Sequence, residues 1–295
     1  MKKLIILMPL YNDWKSVSKL LREIDSQIKE LKYEVSVIIV NDASSEKMSE
    51  LDLTYSKIKT VKIINMKKNR VTQRSIAAGL KYICKNEDFD RVIIMDSDGE
   101  DRPEEINDFL KKAEDNPEKT ITGNRYKRSE GLVFKVLYEI HKVLTLIFTG
   151  KLIKFGNFSC LPKEHVQILI QKPYLWNSYS SSVVKAIHDR TSILSIRGYR
   201  YVLPAKMSFI GLIFHSLTII SVFRNEVMIR SILFLAIYLF LIFNNISVFT
   251  LFPILLLSIF TFTILKISSR TNIEGLDKSL DNIENVNILG SPDSR

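Results

Sequence analysis

The chain is expected to fold as an α/β domain with a mostly parallel sheet, followed by a hairpin of apolar helices. Three observations carry this expectation. Short apolar runs alternate with segments of helical periodicity up to about residue 125, and such alternation specifies parallel strands joined by right-handed crossovers. The runs end in polar or acidic residues, which places those residues on one sheet edge, where open α/β sheets bind ligands. Residues 231–265 carry no charge at all.

Residues 4–8 read as the first strand. After Lys2 and Lys3 they mimic a secretory signal, but the apolar run stops at Pro9 and no small-residue cleavage site follows. A loop over 9–13 leads to a helix over 14–29, with Val17, Leu20, Leu21, Ile24 and Ile28 on one face. The second strand, 35–40, ends in Asn41-Asp42-Ala43-Ser44-Ser45. The third, 61–64, precedes a helix over 69–82 with Ile76, Ala77 and Leu80 inward. The fourth, Val92-Ile93-Ile94-Met95, runs straight into an acidic stretch from Asp96 to Glu105. Pro103 suits the first turn of a helix over 103–114, since its missing N–H costs nothing there. A short strand at 120–122 then meets Gly123-Asn124-Arg125.

Beyond Arg125 the pattern changes. Residues 132–152 are apolar but carry Lys135, Glu139, His141 and Lys142. That is too charged to span a bilayer, and an amphipathic helix on the membrane or packed under the site fits better. Helices over 163–170 and 181–189 bracket Pro173-Tyr174-Leu175-Trp176, residues 193–201 read as an added strand, and 209–223 as an apolar helix containing His215. One span needs about 20 residues, so the uncharged run is long for one span and slightly short for two. Asn244-Asn245 near its middle reads as a turn. In a hairpin, Arg224 and Arg230 before it and Lys266 and Arg270 after it share the cytoplasmic side. The expected layout is therefore a catalytic or binding domain over 1–208, a juxtamembrane helix over 209–228, two transmembrane helices within 229–267, and a disordered polar tail over 268–295.

The net charge of +10 suits nucleic acid, a membrane surface or an anionic substrate. No Lys/Arg block of the nucleic-acid type appears, and the apolar segment favours the membrane. Cys84 and Cys160 lack metal-site spacing and read as reduced thiols. The four histidines show no metal spacing, and Ser180-Ser181-Ser182 lacks the glycines of a nucleophile elbow.

Asp96 and Asp98 stand one residue apart where the fourth strand ends. Hard oxygen ligands at that edge suit Mg2+ or Mn2+ carried by a phosphorylated substrate. An acidic helix start accounts for the same residues, since carboxylates favour a first turn. Asp42 and the Pro9–Asp13 loop on the same edge favour the metal reading.

The order Met8-Pro9-Leu10-Tyr11-Asn12-Asp13, then Val40-Asn41-Asp42-Ala43-Ser44, then Asp96-Ser97-Asp98-Gly99-Glu100-Asp101-Arg102-Pro103-Glu104-Glu105 resembles the family 2 glycosyltransferases of the Rossmann-like GT-A fold. With the C-terminal hairpin, the chain looks like the polyprenyl-phosphate branch, similar to dolichol-phosphate mannose synthase, over residues 4–266. The resemblance implies that Pro9, Tyr11 and Asp13 line the nucleotide pocket, with Asp13 where the family usually has Glu. It implies that Asp42 hydrogen-bonds the nucleobase; a carboxylate accepts from the N3–H of uracil, which points to a uridine donor. Asn69 to Gly79 matches a motif whose usual glycine is Val71 here, with Gln73 and Gly79 retained. Asp98 matches the direct metal ligand, Asp96 a ribose or metal ligand, and Asp101 an acid near the sugar.

In the second half, Gly156-Asn157-Phe158-Ser159 falls where the branch usually reads Gly-Asp-Phe-Arg, so the acid often assigned as base is Asn157. Arg200 and Lys206 match the family's basic pair ahead of the membrane helices, with Leu203 and Ala205 replacing the usual glycine and serine. Arg200 and Lys206, with Arg125, Lys127 and Arg128, are expected as acceptor-phosphate ligands, or else as a basic face against anionic headgroups. A sugar hydroxyl acceptor needs a general base; a lipid phosphate is already anionic and needs only positioning and screening. Asn157 therefore fits a polyprenyl phosphate acceptor, while a lipid-linked saccharide acceptor requires another base, with Asp101 the nearest.

The resulting expectation is an inverting, metal-dependent glycosyltransferase in the inner membrane, multi-pass, with its catalytic domain in the cytoplasm. Its partners are a nucleotide-sugar donor and a polyprenyl-phosphate or lipid-linked acceptor, with no nucleic acid, and self-association is left open. A non-catalytic membrane scaffold of the same fold is the rival that the departures at Val71, Asn157, Leu203 and Ala205 motivate.

Overall fold

The computed structural model describes residues 1–48, 55–127, 132–202, 209–270 and 273–289, with backbone only at 126, 127 and 132–135. The elements run β1 (Lys2–Leu10), α1 (Trp14–Gln27), β2 (Tyr33–Asn41), β3 (Ile58–Met66), α2 (Thr72–Asn86), β4 (Arg91–Ile94), α3 (Glu105–Asp115) and β5 (Thr120–Lys127). They continue through α4 (Leu132–Thr149), β6 (Ser159–Pro162), α5 (Lys163–Ile170), a 3-10 turn (Pro173–Trp176), α6 (Tyr179–Ala186) and β7 (Arg190–Ile196). Last come α7 (Phe209–Ser221), α8 (Arg224–Ile242), α9 (Val248–Ser268), α10 (Ile273–Asp277), a second 3-10 turn (Lys278–Asn282) and β8 (Ile283–Leu289).

The strands form one sheet in the order β7-β5-β6-β4-β1-β2-β3-β8. Strands β4, β1, β2 and β3 are mutually parallel. Strand β6 runs antiparallel to β4 and β5, and β7 parallel to β5. Apolar side chains alternate to both faces, so two cores form. One packs α1 and α3 on the sheet through Trp14, Leu20, Ile24, Ile106 and Phe109; the Phe109 ring meets Phe158 edge-on at 4.5 Å. The other packs α2, α5 and α6 and takes in Ile219, Val222 and Phe223 from the end of α7. Gly79 lets α2 approach the sheet: a Cβ there would lie 2.6 Å from Leu7 Cδ1 and 2.9 Å from Val40 Cγ2.

Several elements differ from the sequence reading. β6 was not anticipated, because four residues give no periodicity. β5 extends well past 122 because it pairs with β7 through Lys127. α2 starts at Thr72 rather than 69, because Val71 sits at a φ of 67° and breaks the helix there. β7 stops at Ile196 rather than 201, since the following residues turn over the acidic loop: Gly198 N donates to Glu100 O (2.8 Å) and Tyr201 N to Asp98 O (3.0 Å).

The tail requires a correction. Residues 268–295 were expected to be disordered, yet 273–289 form α10, a 3-10 turn and β8, which pairs antiparallel with β3. Leu276 is fully buried in the α2-side core, and Ile283 and Val286 pack against it. A strand edge at β3 presents unpaired backbone groups, and β8 satisfies them. The segment reads as polar because Glu284, Asn285 and Asn287 are exposed to water.

α8 and α9, of 19 and 21 residues, are long and apolar enough to cross a membrane, and little of either is buried in the protein. Ser247 and Thr250 cap α9 reciprocally. Thr261 Oγ1 donates to Ser231 Oγ across the pair at 2.9 Å. α4 leans on the base of this hairpin: the Phe148 ring packs 4.4 Å from Phe260 and 5.8 Å from Phe234, and Arg230 Nη1 donates to Ile147 O at 3.0 Å. Its opposite face leaves Val136, Ile140 and Val143 exposed.

If the tail is part of the folded core, Leu276→Ala leaves a cavity and costs about 2–5 kcal/mol. A clear drop in thermal melting in detergent is the expected outcome; an unchanged transition would return the tail to a disordered appendage.

Candidate active site

Three strand ends and a returning segment build the site. After β1, Asn12 takes a φ of 51° and turns the chain into α1. Asp13 is buried there, accepting from Ser16 Oγ at 2.6 Å. Tyr11 is largely exposed beside it, and Pro9 lies within β1. After β2, Asp42 is 2% exposed. Its backbone N donates to Leu10 O (2.8 Å), and its Oδ1 accepts from Arg70 N (2.8 Å). Its Oδ2 is buried and, among the described residues, accepts no hydrogen bond of ordinary geometry, although the Ser75 hydroxyl and the Val71 N–H lie close enough to favour its charged form. Burial raises the Asp42 carboxyl pKa, against the lowering by the Arg70 N–H.

After β4 the acidic loop closes on itself. Asp101 is buried; its Oδ2 accepts from Asp96 N (2.9 Å) and its Oδ1 from Arg125 Nη2 (3.2 Å). Asp98 Oδ1 accepts from Glu100 N (3.0 Å). Gly99 takes a φ of 87° and lies against the Tyr201 ring, where a Cβ would come within 2.6 Å. The 197–201 segment covers this loop, with Arg197 paired to Glu100. Arg200 joins two loops: its guanidinium donates to Asp98 Oδ2 at 2.8 Å and to Asp13 Oδ2 at 2.6 Å. Burial, then the charges of Asp96 and Glu100, push the Asp98 carboxyl pKa up. Burial and Asp96 push that of Asp101 up more than Arg125 lowers it.

Asn157 and Gln73 complete the edge. Asn157 Nδ2 donates to Asp96 Oδ1 (2.9 Å) and its Oδ1 accepts from Gln73 Nε2 (3.2 Å). Gln73 Oε1 accepts from Tyr179 N at 2.6 Å. Two residues earlier, Asn177 Nδ2 reaches Ile267 O near the end of α9 at 3.5 Å. A contiguous set of contacts thus links the acidic loop to the apolar hairpin.

The structure therefore brings Asp13, Asp42, Gln73, Asp96, Asp98, Asp101, Asn157 and Arg200 to one edge. It places some of them differently from expectation. Arg125 and Arg200, expected on an acceptor phosphate, have their guanidinium groups held by carboxylates. Asp101, expected near the sugar, is buried with both oxygens occupied, and so acts by holding the loop. Asn157 donates to Asp96, which an aspartate there would not do. Arg128 and Lys206 lie outside the described residues, as do Leu203 and Ala205.

Sequence reasoning missed a ladder of side-chain amides. Ser44 N donates to Asn41 Oδ1 (3.1 Å), Asn41 Nδ2 to Asn65 Oδ1 (2.8 Å), and Asn65 Nδ2 to Asn285 Oδ1 (2.7 Å). The ladder joins the loop holding Asp42 to the C-terminal strand, and Lys67 N donates to Asn282 O beside it at 2.7 Å. Its signal lies in register alone: Asn41 pairs with Asn65 and Asn65 with Asn285.

The acid-rich carboxyl edge and the mostly parallel sheet define a GT-A type domain. The chain belongs to glycosyl transferase family 2, whose family model matches residues 5–175. Among curated proteins it is similar to the undecaprenyl-phosphate 4-deoxy-4-formamido-L-arabinose transferase of Photorhabdus laumondii, 26% identical over 172 residues, covering 58% of this chain and 51% of that protein. The enzyme of the same name from Salmonella choleraesuis is also 26% identical, over 57% of this chain and 50% of that one. The chain thus spans about half the length of the curated relatives it matches. Among solved structures, its fold is similar to mannosyl-3-phosphoglycerate synthase from Rubrobacter xylanophilus (TM-score 0.57, 12% identity, 77% of this chain and 74% of that one). It is also similar to glucosyl-3-phosphoglycerate synthase from Mycobacterium tuberculosis, solved in complex with Mn2+, uridine diphosphate and glucosyl-3-phosphoglycerate (TM-score 0.53, 10% identity, 76% and 80%). At these identities the likeness is one of fold.

Asn285→Ala removes the outer rung of the ladder. Loss of one hydrogen bond predicts amide exchange over residues 41–45 faster by roughly two- to tenfold, with the melting temperature little changed. Asn285→Asp keeps the acceptor and the protection. Equal exchange in all three proteins would show that the ladder holds nothing.

Proposed function

We propose that this protein transfers a sugar from a uridine-diphosphate sugar to a polyprenyl phosphate at the cytoplasmic face of the inner membrane, with inversion at the anomeric carbon. The observation that carries the reading is the acid edge: Asp42 with a buried oxygen that accepts no hydrogen bond of ordinary geometry among the described residues on one loop, and the Asp96–Asp98 pair on the next. A buried acceptor without a donor costs free energy, and the imide N–H of uracil would satisfy it. The acceptor class is supported by the relatives' names, by the hairpin, and by its contact with the site through Asn177.

A divalent cation fits the residues present. The donors are carboxylate oxygens, which suit Mg2+ or Mn2+. The raised Asp98 and Asp101 carboxyl pKa values reflect negative charge crowded into a buried corner. Among the described residues no three side chains are grouped to hold an ion by themselves, and Mg2+ and Mn2+ sites commonly take one or two carboxylates plus substrate phosphates. Asp98 with Asp96 would hold the ion, which when bound offsets diphosphate charge and aids leaving-group departure.

The chain's own groups do the positioning. Asp101 and Arg125 brace the backbone of Asp96, and Asn157 and Gln73 orient its carboxylate. The acceptor phosphate oxygen attacks the anomeric carbon as its bond to the diphosphate breaks, and the nucleoside diphosphate leaves. No base is required of the protein, which agrees with Asn157 being an amide. Transfer to a hydroxyl of a lipid-linked saccharide is the second reading. It needs a base, and Asp101 is a poor one because both its oxygens are engaged. Arg224, Arg230, Lys266 and Arg270 flank the hairpin at one end, which orients that end to the cytoplasm. The exposed apolar face of α4 would rest on the lipid.

Membranes supplied with a nucleotide-sugar panel and a polyprenyl phosphate should yield a lipid-linked, mild-acid-labile sugar phosphate by mass spectrometry, with uridine donors preferred. Asp98→Ala or full chelation should lower turnover roughly hundredfold or more; undiminished transfer in either case would sink the mechanism. Asp42→Asn replaces an acceptor with an amide and should weaken uridine diphosphate binding by about tenfold or more. An acid-stable glycosidic product would favour the hydroxyl acceptor.

A further inference from the structure

With Arg125 and Arg200 committed to carboxylates, the acceptor phosphate needs other partners. Arg70 and Arg270 lie close enough to Arg74 to repel it, and among the described residues none of the three has a carboxylate at ion-pair distance. Arg74 stands in the first turn of α2, which contains no acidic residue. A cation at the positive end of a helix is electrostatically unfavourable, and Arg70 just before the helix adds to the cost.

Two aromatic rings hold these groups. The Arg74 guanidinium lies 5.0 Å from the Trp176 ring centre, and that of Arg270 lies 5.1 Å from the Phe214 ring centre. A stacked guanidinium keeps its in-plane N–H donors available for an oxyanion. Ile267 O, at the end of α9, accepts from the backbone N of Arg270 at 3.1 Å and from Asn177 Nδ2 at 3.5 Å, and Asn177 follows Trp176 in the chain. Burial, then repulsion from Arg70 and Arg270, lowers the pKa of Arg74, with Asp42 opposing them weakly. Like charges are thus gathered where α9 leaves the apolar layer, one step from the Gln73–Asn157–Asp96 chain.

We propose that Arg74 and Arg270, with Arg70 beside them, form the site that receives the phosphate of the lipid acceptor as it enters from the bilayer. This rests on the acceptor being a polyprenyl phosphate. An anionic bilayer headgroup offers the same chemistry, so the test separates the two sources.

Tryptophan fluorescence provides a readout independent of turnover. The chain has two tryptophans, and Trp14 lies in the core on the other face of the sheet, so a change on lipid binding reports Trp176. The full-length protein in detergent is titrated with a short-chain polyprenyl phosphate, with the matching polyprenol, with phosphatidylglycerol, and separately with uridine diphosphate. A saturable change with polyprenyl phosphate and none with polyprenol is expected. Arg270→Gln and Arg74→Gln should each weaken it roughly ten- to hundredfold, leaving uridine diphosphate affinity and melting temperature unchanged. Arg270 is exposed, so its variant keeps the test valid if Arg74→Gln misfolds. The inference is overturned by unchanged polyprenyl phosphate affinity in a folded variant, by an equal loss of uridine diphosphate affinity, or by phosphatidylglycerol competing equally well. A wild-type protein that neither binds uridine diphosphate nor transfers sugar overturns the functional reading itself, and the inference with it. Wild-type transfer with unaffected arginine variants overturns the inference alone.

Discussion

Carboxylates taken out of water at the end of a buried strand must find cations or N–H donors, and that need shapes the catalytic half of this protein. The Asp96–Asp101 loop meets it in three ways. Asp101 accepts from the Asp96 backbone and from Arg125. Asp98 accepts from the Glu100 backbone and from Arg200. Asp96 accepts from Asn157. Arg200 reaches Asp13 with its other arm, so the first loop and the acidic loop share one counter-charge. Buried pairs of this kind are weak contributors to net stability but costly to break. Their use here is to hold oxygens in register at an edge where charge is handled.

The same need explains why the 197–201 segment folds back rather than continuing β7. Its backbone ties to Asp98 and Glu100, its Arg197 meets Glu100, and the Tyr201 ring closes over Gly99. In sequence the covering segment precedes α7 and the apolar hairpin. On the other side of the site, α10 and β8 return from α9 to the sheet, and the asparagine ladder ends beside Asp42. The acid edge is held from both sides by chain that borders the hairpin.

Local pattern made much of this legible. The apolar runs of β1, β2 and β4 mark buried parallel strands because both their faces are covered. The uncharged stretch broken at Asn244-Asn245 marks the hairpin. The motifs around Asp13, Asp42 and Asp96–Asp98 mark the strand ends. What escaped was decided by long-range pairing. β6 is too short to carry periodicity. β8 reads as a polar tail because half of an edge strand faces water. Arg125 and Arg200 read as free cations because a sequence lists charges without saying which oxygens lie within hydrogen-bond distance of them.

The amino-acid order alone therefore specified the class of fold, the acid edge and the apolar hairpin, since each is encoded within a short window by periodicity, strand-end chemistry or absence of charge. The tertiary structure alone assigned partners: Arg200 to Asp13 and Asp98, Asn157 to Asp96, and Asn285 through Asn65 to Asn41. It also set Arg74 and Arg270 against aromatic rings, with no carboxylate at ion-pair distance among the described residues. Those pairings join residues separated by dozens to hundreds of positions. They arise from sheet register and helix docking, which no local window contains.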